Sequence, residues 1–506
     1  MYFFRRQWMK TIVLHTTICF LLFIACFLSN ETFAQDNRPF IKDIDQFNYA
    51  NLLYEQGYHS VATREFGKVI RDYPLSALKP DAHFRMAESY MKAGLSKDGV
   101  SQFKQFLKNF PNSTLADDIR AALKKGMLNM QVNPHLKQPE LSPPKLSKVE
   151  SLRAVQVSVF EGRNYKEVAW EFDALKASGV NTVIVRVFHN KGDRFYPFAT
   201  PYSDEGVYFS TRHVPVVTDM LGRVIEIAHE REMKIFAWMT TKYADYGMGE
   251  RYDTACKGYD VSSRSIVRCK GLDLFSEDAV RHLERLYNDL ADYDIDGVLF
   301  QDDLILKHTE GFGRHAEILY KKNNGSVLDP ADMFFIDEEG TIQYTPEFWR
   351  WATWKNKRLL EVARRLKMVI KRKRPEAKFA LNLMYEAVSN PRYALAWFSQ
   401  NLKTAIEGGF DYYAIMAYHR QISEELEQDI MQTKFMIEEM TSDAVNIVGE
   451  PQKVLIKLQT IDWKTSIPIS NRELYDILER VGKVKGVSMA IFPYRVDISF
   501  KKLGDM

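Results

Sequence analysis

Cysteine is scarce in this 506-residue chain, and half of it falls where no folded domain is expected. Of four in all, Cys19 and Cys26 lie in an N-terminal apolar segment, which leaves Cys256 and Cys269 for the body. No histidine or second CxxC pair stands near those two, so a structural zinc site is not indicated. An excess of one charge is also missing. Lys and Arg total 69 against 66 Asp and Glu, a formal +3, without the concentrated basic surplus of a nucleic-acid protein. The longest basic run, Lys371 to Arg374, closes a helical pattern, where cations oppose the carbonyl end of the dipole. The 11 histidines include no HxH or HxxxH pair. No serine elbow of the GxSxG type occurs, and no glycine-rich turn follows the first strand of the body. Metal, serine-nucleophile and dinucleotide chemistry therefore lack local motifs, and no cofactor is expected.

What is present begins with a targeting pattern. Arg5, Arg6 and Lys10 precede an apolar run from Thr11 to Leu28, and Thr32-Phe33-Ala34 has the form of a cleavage site. Residues 1–34 read as a signal peptide or, at nearly bilayer length, a membrane anchor. Either form exports the body, to the periplasm or a membrane-associated envelope site. In such an oxidising compartment Cys256 and Cys269, in one loop-like stretch, are natural disulfide partners.

Residues 46–130 repeat. Ala50 pairs with Ala87, Gly57 with Gly94, Phe66 with Phe103 and Pro74 with Pro111, at a common spacing of 37. Small residues in one helix, glycine at the turn and aromatics in the next resemble tetratricopeptide repeats, whose usual period is about 34. Asp117 to Met130 reads as a capping helix. So short an array predicts a docking surface for a protein partner, or a spacer, and no catalysis. Four prolines in residues 131–150 then predict an extended linker.

From 151 to 500 short apolar strands alternate with amphipathic helices. Strands are predicted at Ala154–Val159, Thr182–Phe188, Lys234–Met239, Gly297–Gln301, Lys378–Met384, Tyr412–Met416, Lys453–Leu458 and Val487–Phe492. Helices are predicted between them, among others over Val214–Arg231, Arg392–Glu407 and Glu424–Glu439. Eight alternations predict an α/β fold of the TIM (β/α)8 barrel type behind an all-α repeat domain. Such barrels build their sites at the C-terminal strand ends. Those ends hold His189, Trp238, Asn382, Tyr385, Tyr418, His419, Gln459 and Tyr494, a candidate substrate-binding set. Trp170, Trp349, Trp351 and Trp354 lie on helices and read as packing residues.

The fourth strand carries the sharpest signal. It ends in GVLFQDD, with Glu310 seven residues beyond Asp303. Glycoside hydrolysis needs one protonated carboxyl for the leaving oxygen and a negative group to stabilise the oxocarbenium-like transition state or activate water. Packed carboxylates raise one another's pKa, which suits that division. Asp302, Asp303 and Glu310 are the candidate catalytic residues. Glu310 or Asp303 is assigned as acid and Asp302 as support. Because adjacent strand residues alternate in direction, one of the two aspartates is expected to face the cavity and the other to brace the loop.

These residues carry a resemblance. DGVLFQDD at 296–303, LNLMYEAVSNPRYALAWFSQNL at 381–402, DYYAIMAYH at 411–419 and GVSMAIFPYR near the C-terminus resemble the C-terminal glycoside hydrolase domain of PgaB-type poly-β-1,6-N-acetyl-D-glucosamine N-deacetylases. The cluster Trp397, Gln400 and Asn401 is among its most specific parts. The resemblance implies an endo-acting domain that binds and cleaves partly deacetylated poly-N-acetylglucosamine, a biofilm exopolysaccharide, with Asp302 and Asp303 matching its acidic pair. That family's metal-dependent deacetylase domain has no counterpart here, so deacetylation is not expected. A hydrolase of amino-sugar polymer and a non-catalytic polysaccharide-binding scaffold of an assembly or export complex are the two functions to separate.

Overall fold

A computed structural model describes residues 43–124 and 150–501, apart from 56, 58, 74–75, 112, 114, 247–252, 338–339 and 341. The segment read as signal or anchor, almost all of the proline-rich stretch and Pro74 lie outside the described residues. Those described fall into two compact units, residues 150–328 with 352–501 and residues 43–124 with 329–351. Among them no helix is long and apolar enough to cross a membrane.

The smaller unit is helical: α1 Asp43–Glu55, α2 His59–Asp72, α3 Lys79–Lys92, α4 Ser96–Asn109 and α5 Ala116–Lys124. Its repeat is physical as well as textual. Ala50 and Ala87 are both fully buried, as are Phe66 and, nearly so, Phe103. Gly57 and Gly94 both turn the chain with φ near +80°, a conformation costly to any residue with a Cβ. A short hairpin, Phe334–Ile336 with Ile342–Tyr344, belongs to the same unit.

The larger unit is a closed barrel of eight parallel strands: β1 Arg153–Val157, β2 Thr182–Arg186, β3 Lys234–Met239, β4 Gly297–Phe300, β5 Lys378–Met384, β6 Tyr412–Met416, β7 Val454–Gln459 and β8 Ser488–Phe492. Each pairs with its sequence neighbours, and β1 pairs with β8 to close the ring. Inward positions mix small and large side chains: Ala154, Ala380, Ala414 and Ala490 sit among Phe236, Leu299, Tyr412 and Leu455. Gly297 is required where β4 passes the Phe236 ring, because a Cβ there would lie 2.7 Å from the ring carbons. Two residues further along, four of these inward rows turn polar, at Gln156, Arg186, Asn382 and Lys457, all nearly fully buried. One end of the barrel is thus chemically different from its interior.

Helices pack around the strands and begin where their caps dictate. Asn164, Ser276 and Ser470 each accept a backbone N–H three residues on, starting helices Tyr165–Ala177, Glu277–Leu290 and Asn471–Gly482. Three predicted helices need correction. The helix expected from Val214 starts at Leu221, because Pro215 and Val217 instead hydrogen-bond to Val207. The stretch Arg392–Glu407 divides into Pro391–Phe398 and Leu402–Glu407, with Ser399 in the left-handed region and Asn401 capping the second piece. The stretch from Glu424 likewise divides, since Asp429 and Gln432 form a capping box that starts a new helix at Ile430. Trp349 and Trp351 are buried as expected, but Trp170 is 58% exposed, with Lys166 over its ring.

After β3 a hairpin, Ala255–Asp260 with Ser265–Leu272, carries a disulfide between Cys256 and Cys269. The hairpin in turn holds the segment after β4: Tyr259 donates to Thr309 O at 2.8 Å and Gly311 to Lys257 O at 2.8 Å. Reducing this bond is expected to lower the stability of the unit by about 3 kcal/mol, by chain-entropy arguments for a loop of this length. Thermal melts with and without reductant, alongside a Cys256→Ser/Cys269→Ser variant, check it. Equal midpoints in all three would show the bond to be inert.

Candidate active site

The C-terminal ends of β4 to β8 surround a cavity of about 990 Å3. Its wall includes Asp302 after β4, Tyr385 and Glu386 after β5, Tyr418 after β6, Asp462 and Trp463 after β7 and Phe492 of β8. The helix His419–Glu425 and Ile430 form one side. Tyr418, Trp463 and Phe492 form an aromatic corner. Trp463 meets Tyr418 and Phe492 with ring centroids 5.8 Å away in each case, and Trp238 stands edge-on behind Phe492 at 5.4 Å. Such faces suit the apolar sides of sugar rings. The lining holds five carboxylates, Asp302, Glu386, Glu424, Glu425 and Asp462, against two cations, Arg420 and Lys464. Both cations are already engaged: Arg420 grips Glu473 and Asp462, and Lys464 pairs with Glu424 at 2.6 Å. The cavity is acidic.

The three predicted carboxylates do not converge. Asp302 lines the cavity, and burial raises its carboxyl to about 6, against the pull of Lys457 and with a further push from Asp303. Asp303 points into the loop after β3 and is 2% exposed. It accepts from Thr240 Oγ1 at 2.6 Å, Thr241 Oγ1 at 2.7 Å and the backbone N–H groups of Thr241 and Tyr243 at 2.9 and 2.8 Å. Of the aspartate pair, Asp302 faces the cavity and Asp303 braces the loop. Glu310 accepts from Lys242 Nζ at 2.5 Å and Lys307 N at 3.0 Å. Burial pushes its carboxyl up, but the Lys242 ammonium prevails and holds it below the usual range. A carboxylate so held is a poor proton donor. Of the three candidate carboxylates, Asp302 alone stands on the cavity wall, while Asp303 and Glu310 are held in buried bonds.

The candidate binding set divides in the same way. Tyr385 and Tyr418 line the cavity. Trp238 stands one layer below, its indole N–H donating to Gln301. Asn382 is 3% exposed and lies beneath the cavity, donating to Phe300 O and accepting from Lys457 Nζ. The remaining four are turned elsewhere. His189 is fully buried, stacked on Phe195 and bonded to Tyr208, and burial lowers it to about 4. His419 is fully buried and meets Glu473. Gln459 accepts the N–H groups of Arg420 and Gln421, fixing the start of the cavity-side helix. The Tyr494 hydroxyl reaches Glu171 on the outer helix. Each is a polar residue near a strand end, consumed by a structural bond.

Lys457 is the residue that strand-end reading missed. It stands in VLIKLQ, two positions after inward-facing Leu455, and is 1% exposed. A lysine inside an apolar strand was the available signal. The motif residues Gln400 and Asn401 also find roles: Gln400 accepts from Met384 N and donates to Asn382 O, clamping the end of β5.

A family model described as hypothetical glycosyl hydrolase family 13 matches residues 165–492, and a tetratricopeptide repeat model matches residues 81–113. Among solved structures, the chain is similar to the PgaB (BpsB) glycoside hydrolase domain from Bordetella bronchiseptica. Identity is 21% over 70% of this chain and 97% of that one, with a TM-score of 0.55, a likeness of fold. The catalytic domain of the beta-amylase from Paenibacillus polymyxa matches at 10% identity over 70% of this chain and 95% of that one, with a TM-score of 0.46. No curated protein sequence matches the chain.

Proposed function

Because the chain belongs to the hypothetical glycosyl hydrolase family 13, we propose that it is an exported endo-glycosidase of an amino-sugar exopolysaccharide, such as partly deacetylated poly-β-1,6-N-acetylglucosamine. The observation that carries this reading is Asp302. It is a carboxyl raised to about 6 on the wall of an acidic, aromatic cavity at the mouth of the barrel. At mildly acidic pH it is protonated and able to donate. It gives its proton to the glycosidic oxygen as the C1–O bond breaks and the bonding pair stays on that oxygen. Water then adds its oxygen to C1 and returns a proton to a carboxylate, for which the lining supplies Glu386 and Glu425. The surplus of carboxylates supports the substrate class, since a partly deacetylated polymer carries ammonium groups.

The test is chain length. Full-length protein incubated with the partly deacetylated polymer is expected to generate new reducing ends, and the fully acetylated polymer to be cut more slowly. Unshortened polymer in both would overturn the reading. Trp463→Ala is expected to weaken glycan binding by about 1 kcal/mol or more, roughly fivefold, measured by titration calorimetry. Unchanged affinity would place the polymer elsewhere. A scaffold reading, in which the barrel holds glycan without cutting it, is favoured by one observation: Asp303 and Glu310 are both consumed by buried bonds. Export rests on residues 1–34 and on the disulfide. The repeats would dock a protein partner, and an uncleaved N-terminal segment would tether the chain to a membrane.

A further inference from the structure

The barrel buries one ammonium group under the candidate active site. Lys457 projects inward from β7, and its Nζ donates to Asn382 Oδ1 across the barrel at 2.9 Å. Asn382 is itself fixed, because its side-chain amide donates to Phe300 O at 3.0 Å and its backbone carbonyl accepts from Gln400 Nε2 at 3.1 Å. The ammonium also lies 5.9 Å from the ring centroids of both Tyr418 and Phe492, two rings of the cavity wall. No carboxylate forms an ion pair with it among the described residues; the acidic group whose field acts on it is Asp302, on the wall of the cavity above. Burying an ammonium in an apolar strand without a bonded counter-ion is costly, and a leucine would pack there more cheaply. A charge kept in such a place calls for a role.

We propose that Lys457 is a positioning residue that sets the proton affinity of Asp302 and stabilises its anion once the proton has left. The inference rests on the assignment of Asp302 as acid. Two opposing influences meet at that carboxyl: removal from water and the nearby Asp303 favour the protonated form, and Lys457 favours the anion. Tyr418 stays neutral, raised by burial and then by Asp302, and Tyr243 is raised by burial, then by Glu310 and Asp303, with Asp302 adding less. Lys457 is thus the cation that restrains the rise. Without it Asp302 would hold its proton too tightly to release it to the leaving oxygen, and the anion formed at bond breaking would lack a counter-charge. Burial in turn lowers the Lys457 ammonium to about 8, with Asp302 opposing, so it remains charged where Asp302 titrates.

The test separates charge from hydrogen bonding. Lys457→Gln keeps a donor for Asn382 and loses the charge, Lys457→Met loses both, and Lys457→Arg keeps the charge. The carboxyl of Asp302 is titrated in the full chain by 13C-aspartate NMR, with Asp302→Asn identifying the resonance. The midpoint is expected to rise by roughly one pH unit or more in the Gln and Met variants and to move little in the Arg variant. The alkaline limb of the cleavage profile should shift the same way, with a lower rate at its plateau. A midpoint unmoved by loss of the charge overturns the proposal; should one neutral variant fail to fold, the other still decides. If the wild-type protein cuts no polymer but the midpoint still moves, the hydrolase reading fails and the coupling stands.

Discussion

Replacing Asp302 with asparagine is expected to slow polymer cleavage by roughly a hundredfold to ten-thousandfold, the range over which a positioned acid contributes. The amide keeps the size of the side chain but cannot release an acidic proton. Asp302 lines the cavity, so glycan binding and the thermal midpoint should change little. The pH profile supplies the sign. A donor must be protonated, and burial raises Asp302 to about 6, so wild-type kcat/KM should fall as pH rises through that region. Asp303→Asn should behave differently. Its four donors, on Thr240, Thr241 and Tyr243, share the two carboxylate oxygens, and an asparagine would present an NH2 group in place of one of them. It should lose stability first and activity as a consequence. Kinetics and melting curves for both variants check the contrast, and equal loss of stability in the two would contradict it.

The second large effect is on stability. Glu310→Ala is expected to cost about 3–5 kcal/mol, because Lys242 would be left with its charge in a nearly water-free site. The side chain of Lys242 is 1% exposed and bonds to Glu310 at 2.5 Å. Glu310 is held below the ordinary carboxylate range, so the folded state favours its anion. The contribution is therefore present above the unfolded carboxyl value, about 4, and is lost as pH falls below it. Urea midpoints of wild type and Glu310→Ala should differ widely at pH 7 and draw together below about pH 4. Where the variant is folded, cleavage per molecule should persist, since Glu310 is outside the cavity wall. Loss of cleavage at full stability would restore Glu310 as a catalytic candidate.

The strands were legible because a barrel strand is buried on both sides and reads as an uninterrupted apolar run. Thr182, Lys234, Gly297, Lys378 and Tyr412 each open an observed strand where the pattern begins. Helix starts were less legible where a local bond overruled periodicity, as at Pro215 and Asp429. The site was legible at one remove. Its location followed from the fold, but polarity at a strand end does not say which way a side chain turns. His419 and Gln459 look as eligible as Tyr418 in the sequence, yet Glu473 and the Arg420 and Gln421 amides claim them. The placement of Glu310 away from the cavity is invisible in the sequence because its partner Lys242 lies 68 residues earlier, a pairing that only the fold creates. Lys457 was passed over because it lies inside a strand and not at its end.

The central claim is that Asp302 donates a proton while the cavity grips a glycan. It is tested most directly by measuring polymer length and polymer binding together, at pH 5.5, for wild-type protein and Asp302→Asn. Shortened chains from the wild type, and intact but bound chains from the variant, are predicted. Intact, bound chains from both proteins would contradict the account and leave the barrel a holder of polysaccharide.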